Sequence, residues 1–217
     1  MSSATPRLRM FAGPNGSGKT TIKSIIRPEL LGVYVNPDDI EAEIRETGSL
    51  DLQAYRVQST TDEVRQFFSR STLLAQSGLL MDLPPLRCEG QTLSYAGAAV
   101  NAYLASVTAD FIRHRLLETG ISFTFETVMS SPDKIEFLKR AQLAGFRTYL
   151  YYVATEDPLI NISRVRHRVK MGKHAVPEDK IVSRYYRSLD LLRDAIRYTN
   201  RAYCSTTPTM SIYGWLR

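Results

Sequence analysis

The sequence predicts an α/β fold, a mostly parallel five-stranded sheet flanked by helices, and two observations carry that expectation. Short runs of β-branched, aromatic and other apolar residues alternate with segments of helical spacing, the pattern of strands joined by crossover helices. Between the first strand run and the first helical run lies Gly13-Pro14-Asn15-Gly16-Ser17-Gly18-Lys19-Thr20, which fits the spacing G-x-x-x-x-G-K-[ST] at every fixed position.

The elements follow in order. Residues 7–12 read as the first strand and 19–27 as the first helix, stopped at Pro28. Residues 33–36 form a second strand, and Asp38 or Asp39 is placed to cap the helix that runs to about Glu46. Residues 61–76 carry Val64, Phe67, Phe68, Leu73 and Leu74 at helical spacing. Residues 79–95, with Pro84-Pro85 and Gly90, read as a loop insertion. A long helix is expected over 98–118, closed at Gly120. The third strand spans 121–128, a helix runs from Ser131 to Gly145, and the fourth strand spans 147–154. Helices over 158–171 and 177–198 flank Gly172-Lys173-His174-Ala175-Val176-Pro177, and a last strand is expected within 209–215.

A chain of 217 residues with 43% apolar content suits one domain spanning 1–217, with an arginine-rich lid at 160–180. Cys88 and Cys204 form neither a disulfide framework nor a metal pattern, which points to a reducing, cytoplasmic setting. The N-terminus has no long apolar run, so neither signal peptide nor membrane span is expected. The net charge is +6, and Arg164, Arg166, Arg168, Lys170, Lys173, Arg184, Arg187, Arg193 and Arg197 concentrate the excess late in the chain. Such a cluster suits a phosphate-rich ligand, either nucleic acid or a small metabolite.

The glycine loop explains its own spacing. Glycines reach backbone angles that let successive N–H groups surround a phosphate, and the helix opening near Gly18 adds its positive end. Lys19 reaches the terminal phosphates and the Thr20 hydroxyl faces Mg²⁺. Gly13, Pro14, Asn15, Gly16, Ser17, Gly18, Lys19, Thr20 and Thr21 are therefore the expected contacts for ATP, or GTP, with Mg²⁺. Ligands on such sheets gather at the carboxyl ends of strands, where Asp38 and the segment from Glu126 to Ser130 also fall. A hydroxyl attacking a γ-phosphate needs a proton acceptor, a role open to Asp38 with Asp39 as rival. Arg164 and Arg168 share a helical face from which Arg166 points away, so the pair, joined by Arg184, is expected to neutralise the moving phosphoryl group. His174 reads as a hydrogen-bonding lid residue, because His114 and His167 give no metal spacing with it.

The phosphate loop, Asn36-Pro37-Asp38, Phe125-Glu126-Thr127, Gly172-Lys173-His174-Ala175-Val176-Pro177-Glu178 and Arg184-Tyr185-Tyr186-Arg187-Ser188-Leu189 occur in that order. Together they resemble the zeta-toxin family of P-loop kinases over about residues 7–203. The resemblance implies a P-loop nucleoside triphosphate hydrolase/kinase fold, ATP and Mg²⁺ at Lys19 and Thr20, and Asp38 as the base that activates an acceptor hydroxyl. It places Glu126 and Thr127 at the substrate site, with Glu126 on either the acceptor or the metal. It also implies an antitoxin protein as partner. The founding toxins phosphorylate UDP-N-acetylglucosamine and carry Glu-Gly-Thr-x-Arg at this strand end, where the present chain has Glu126-Thr127-Val128-Met129-Ser130. Without the glycine and the arginine a different acceptor is expected, a nucleotide sugar or another phosphorylated metabolite. A polynucleotide or RNA kinase ranks second, and a non-catalytic ATP-binding module of a toxin–antitoxin pair third; no membrane partner is expected. Relatives of this branch tend to carry Asp-Asn-Ser on the last strand, where this chain reads Tyr203-Cys204-Ser205-Thr206-Thr207-Pro208. A one-base shift in the gene would explain the difference and make 205–217 a frame-shifted tail.

Overall fold

The computed structural model describes residues 5–97, 100–172 and 175–207. In chain order its first elements are β1 (Arg7–Ala12), α1 (Lys19–Ile25), α2 (Pro28–Leu31), β2 (Val33–Val35), α3 (Pro37–Thr47) and β3 (Ser49–Asp51). Then come α4 (Thr61–Ser69), α5 (Thr72–Gln76), β4 (Arg87–Glu89), β5 (Thr92–Ser94) and α6 (Ala102–Glu118). The last are β6 (Phe123–Thr127), α7 (Asp133–Leu143), β7 (Arg147–Thr155), α8 (Pro158–Lys170), α9 (Glu178–Asp190), α10 (Leu192–Arg197) and β8 (Arg201–Thr207).

The main sheet has five strands in the order β2-β6-β1-β7-β8 and is mostly parallel. β1 runs parallel to β7 from Arg7↔Arg147 to Ala12↔Tyr152, and β7 runs parallel to β8 from Tyr149↔Arg201 to Thr155↔Thr207. Strands buried on both faces read as continuous apolar runs rather than alternating ones. β1 and β6 show this: Leu8, Met10, Phe11, Phe123 and Phe125 are all fully buried. Buried Thr124, inside β6, is satisfied by donating to the Leu31 carbonyl at 2.6 Å.

The chain divides into two compact units, residues 1–32 with 124–217, and residues 33–123. The first holds β1, nearly all of β6, β7 and β8 with the helices α1, α2 and α7 to α10. In the second, α6 is buried on most sides; Phe111, Ile112 and Leu116 each contribute about 1.5–3 kcal/mol by leaving water. Asn101 caps α6 by accepting from the N–H groups of Tyr103 and Leu104. The Tyr95 and Thr108 hydroxyls, both fully buried, pair at 2.5 Å.

Several elements differ from the sequence expectation, each for a local reason. Residues 79–95 are not all loop: β4 and β5 form a hairpin turning at Gly90 (φ 62°), and with β3 they make a three-stranded antiparallel sheet. The helix expected over 61–76 breaks in two because Ser71 caps α5, its side chain accepting from the Leu74 N–H. The helix expected over 177–198 likewise divides into α9 and α10 around Leu191. The cap of α3 is Asn36, accepting from the Asp38 N–H at 2.9 Å, with Pro37 in the first turn; neither Asp38 nor Asp39 fills that role. The last described strand is β8, so Ser205, Thr206 and Thr207 belong to the sheet. Residues 208–217, and with them the strand expected over 209–215, lie outside the described residues, as do Ala98, Lys173 and His174.

Candidate functional site

The glycine-rich segment is a turn between β1 and α1 whose shape only glycine permits. Gly13 has φ 142°, and a Cβ there would lie 1.9 Å from the Val153 carbonyl oxygen on β7. Gly16 has φ 75°, and its Cβ would come within 2.8 Å of the Asn161 carbonyl oxygen on α8. Gly18 is left-handed (φ 99°) at the start of α1, so Lys19 and Thr20 are its first helical residues. Within the loop the Ser17 N–H donates to the Pro14 carbonyl at 3.2 Å. The Lys19 ammonium donates to the carbonyls of Gly13 (2.7 Å) and Pro14 (3.0 Å), so its charge sits over the loop. Thr20 and Thr21 are exposed, and the Thr21 N–H bonds back to Gly18.

This arrangement fits a polyphosphate: left-handed glycines at a helix start, a lysine held over the loop and an exposed hydroxyl. Among the described residues no group of three or more His, Cys, Asp or Glu could hold a metal ion. Magnesium bound through phosphates and one hydroxyl needs no such cage.

Helix α8 is seated on the loop. Asn161, fully buried, donates its side-chain N–H to the Asn15 carbonyl at 2.5 Å, and its Oδ1 accepts from the Thr155 hydroxyl. One turn on, Arg164 Nη1 donates to the Gly16 carbonyl at 3.4 Å. Arg168 is exposed in the last turn of the same helix. Arg166, set apart by its spacing, bonds Glu178 at the start of α9, with 66% of its side chain exposed.

Helix α9 is fastened to the sheet instead. Tyr185 donates its hydroxyl to the Thr155 carbonyl at 2.7 Å, and burial pushes its pKa up. Ser188 donates to the Val128 carbonyl at 2.8 Å, just past β6, so the Tyr152 hydroxyl 3.1 Å away must donate to Ser188. Burial raises the Tyr152 phenol to about 12. Arg184 is half-buried on α9.

Glu126 is buried near the end of β6, and half-buried Thr127 accepts the Met129 N–H at 3.0 Å. Met129 itself is buried with φ 54°, a left-handed non-glycine conformation that costs about 1–3 kcal/mol. Asp38 and Asp39 lie in the first turn of α3, in the second unit. There Tyr55 is held well above its ordinary pKa, first by burial and then by the Glu43 and Asp39 carboxylates.

The zeta toxin family model matches residues 88–202, more than half of the chain. The chain belongs to the zeta toxin family. The matched segment starts beyond the glycine loop, so loop and family are independent observations that agree. A chain from the study of the PezAT chromosomal toxin–antitoxin system of Streptococcus pneumoniae superposes with a TM-score of 0.54, at 15% identity, covering 98% of this chain and 78% of that one. At such identity the likeness shows a shared α/β fold. An uncharacterized protein of Haemophilus influenzae is 33% identical over 72 residues, which are 33% of this chain and 51% of that protein. The chain thus spans about half the length of the curated relative it matches.

Thr155 and Asn161 of this zeta toxin family member escaped the sequence reading, and Tyr185 and Ser188 entered it only as part of a motif, with no role assigned. Asn161 left one signal. It stands four residues before Val165 and beside Ile162, on the apolar stripe of α8, and a polar side chain there needs a buried partner.

Proposed function

We propose that the protein is an ATP-dependent kinase that transfers the γ-phosphate to a hydroxyl of a nucleotide sugar or a similar phosphorylated metabolite. The observation that carries this reading is the glycine loop between β1 and α1, whose positive-φ glycines at Gly13 and Gly16 leave no room for a Cβ. GTP is the alternative donor. Bound ATP with Mg²⁺ would supply the transferable phosphoryl group and part of the charge neutralisation.

The chain's own residues supply the rest. N–H groups of the loop and the α1 terminus receive phosphate oxygens, Lys19 moves from its loop carbonyls to the terminal phosphates, and Thr20 offers its hydroxyl to the metal. Asp38 takes the acceptor's proton as the oxygen attacks. Its backbone N–H already satisfies Asn36, so the helix cap does not consume its carboxylate. Arg164, Arg168 and Arg184 balance charge on the moving phosphoryl group. Glu126, Thr127 and His174 contact the acceptor, and Glu126 is the residue that could instead join the metal. An antitoxin protein is the expected macromolecular partner, and no described helix is long and apolar enough to cross a membrane. A frame-shifted tail over 205–217 is tested by the coding DNA: an alternative frame must encode an Asp-Asn-Ser-like strand.

The test is ³¹P NMR of the protein with Mg-ATP and a panel of nucleotide sugars, dinucleotides and short RNAs. A new phosphomonoester resonance with a nucleotide sugar, reduced by about 10²–10⁴-fold in rate in Asp38→Ala, is the expected result. Transfer only to RNA, or equal transfer by the variant, would defeat the assignment.

A further inference from the structure

Thr155, the last residue of β7, holds both flanking helices. Its hydroxyl donates to Asn161 on α8, the shorter of its two contacts, the other being the Asp157 carbonyl at 3.2 Å, and its carbonyl accepts from Tyr185 on α9. Thr155 is 2% exposed and Asn161 is fully buried. The Asn15 carbonyl fixes which end of the Asn161 amide is which: it can only accept, so the nitrogen faces it and the oxygen is left to accept from the Thr155 hydroxyl.

That carbonyl lies inside the phosphate loop. A trans peptide unit is planar, with its C=O and N–H pointing in opposite directions. Holding the Asn15 carbonyl against α8 therefore directs the Gly16 N–H away from α8. Arg164 holds the next carbonyl, that of Gly16, on the same helix. The Gly16 backbone also approaches the Asn161 backbone too closely for any side chain. A buried, satisfied amide thus connects the end of a central strand to the orientation of one loop peptide.

We propose that Asn161 is a positioning residue: oriented by the Thr155 hydroxyl, it presets the Asn15–Gly16 peptide so that the loop is shaped for phosphate before any ligand arrives. The use of that shape rests on the nucleotide-binding reading above, but the presetting does not. Asn161 is fully buried and bonds the loop through the loop's own backbone. It acts through the loop backbone, and the energy of loop ordering is thereby spent during folding rather than on binding.

The experiment measures amide hydrogen exchange in the ligand-free protein, with the Ser17 N–H, bonded to Pro14, as reporter. Asn161→Ala and Thr155→Val should each speed exchange at Ser17 by about fivefold or more, the equivalent of one net hydrogen bond. Thr155→Ser keeps the hydroxyl and should exchange as wild type. The ladder amides of β7 and β1 serve as the control for general loosening. Wild-type exchange at Ser17 in both Asn161→Ala and Thr155→Val would overturn the proposal. So would equal acceleration at Ser17 and in the ladder, which marks a purely structural role. If Asn161→Ala does not fold, the Thr155→Val and Thr155→Ser pair decides alone. Mg-ATP titration of the wild type is run beside it: failure to bind would defeat the nucleotide reading, while the exchange result would stand by itself.

Discussion

α8 and α9 frame residues 171–177 and are fastened in different ways. α8 is tied to the phosphate loop through Asn161 and Arg164, whereas α9 is tied to strand ends through the Tyr185 and Ser188 hydroxyls. They share a small apolar core of Ile162, Val165 and Ile181, with Val176 and Val182 packed against it. The difference assigns roles. A helix bonded to loop carbonyls feels every change in the loop's conformation. A helix bonded at the ends of β6 and β7 is fixed to the sheet rather than to the loop. A change in the phosphate loop's conformation should therefore register in α8 before α9.

The sharpest way to break this contrast is to cut the anchors of α9. Tyr185→Phe leaves the buried Thr155 carbonyl without its donor, and Ser188→Ala does the same to Val128; each should cost about 1–3 kcal/mol. For a chain of this size that lowers the thermal midpoint by roughly 2–4 °C per kcal/mol. Ser17 exchange should stay as in the wild type, since neither change touches the loop. Fast exchange at Ser17 in either variant would mean that the two helices are not fastened independently.

A smaller effect follows from Tyr152. Its pKa rises from 10.0 to about 12 because burial disfavours the phenolate. The unfolded chain then loses this proton first as pH rises, so the stability tied to the neutral phenol is complete below about pH 10 and is lost progressively toward pH 12. Denaturant unfolding between pH 9 and 12 should show this fall, and Tyr152→Phe should make it shallower, the raised Tyr55 and Tyr185 phenols keeping their share. An unchanged slope in the variant would assign the fall to other groups.

Least is expected from Arg166→Ala. The Arg166–Glu178 pair joins the two helices at the surface, and exposed pairs contribute roughly 0–1 kcal/mol. A larger loss in urea titration would make this contact part of the coupling between α8 and α9.

The sequence made the phosphate loop legible because its shape is dictated locally: at Gly13 and Gly16 a side chain would strike backbone atoms. Four strands of the main sheet were legible as well, since β1 and β6 are buried almost throughout and β7 alternates before ending in a continuous buried run; the fifth, β8, lies at Arg201–Thr207, ahead of the expected 209–215. The β4–β5 hairpin was not. Its strands have three residues each, too short for a period to show, and Gly90 reads as loop and as hairpin turn alike. The fastening of α8 was hidden because the partners of Asn161 lie 146 residues away at Asn15 and six residues away on another element. Only its position on the apolar stripe distinguished it from a solvent-facing asparagine.

The central claim, that the loop binds a nucleoside triphosphate for transfer by a separate base, is tested most directly by calorimetric titration of Mg-ATP into three proteins. Wild type and Asp38→Ala should bind with the same affinity. Lys19→Met should bind at least about tenfold more weakly, having lost a charge-assisted contact. Equal binding by all three, or none by the wild type, would contradict the account.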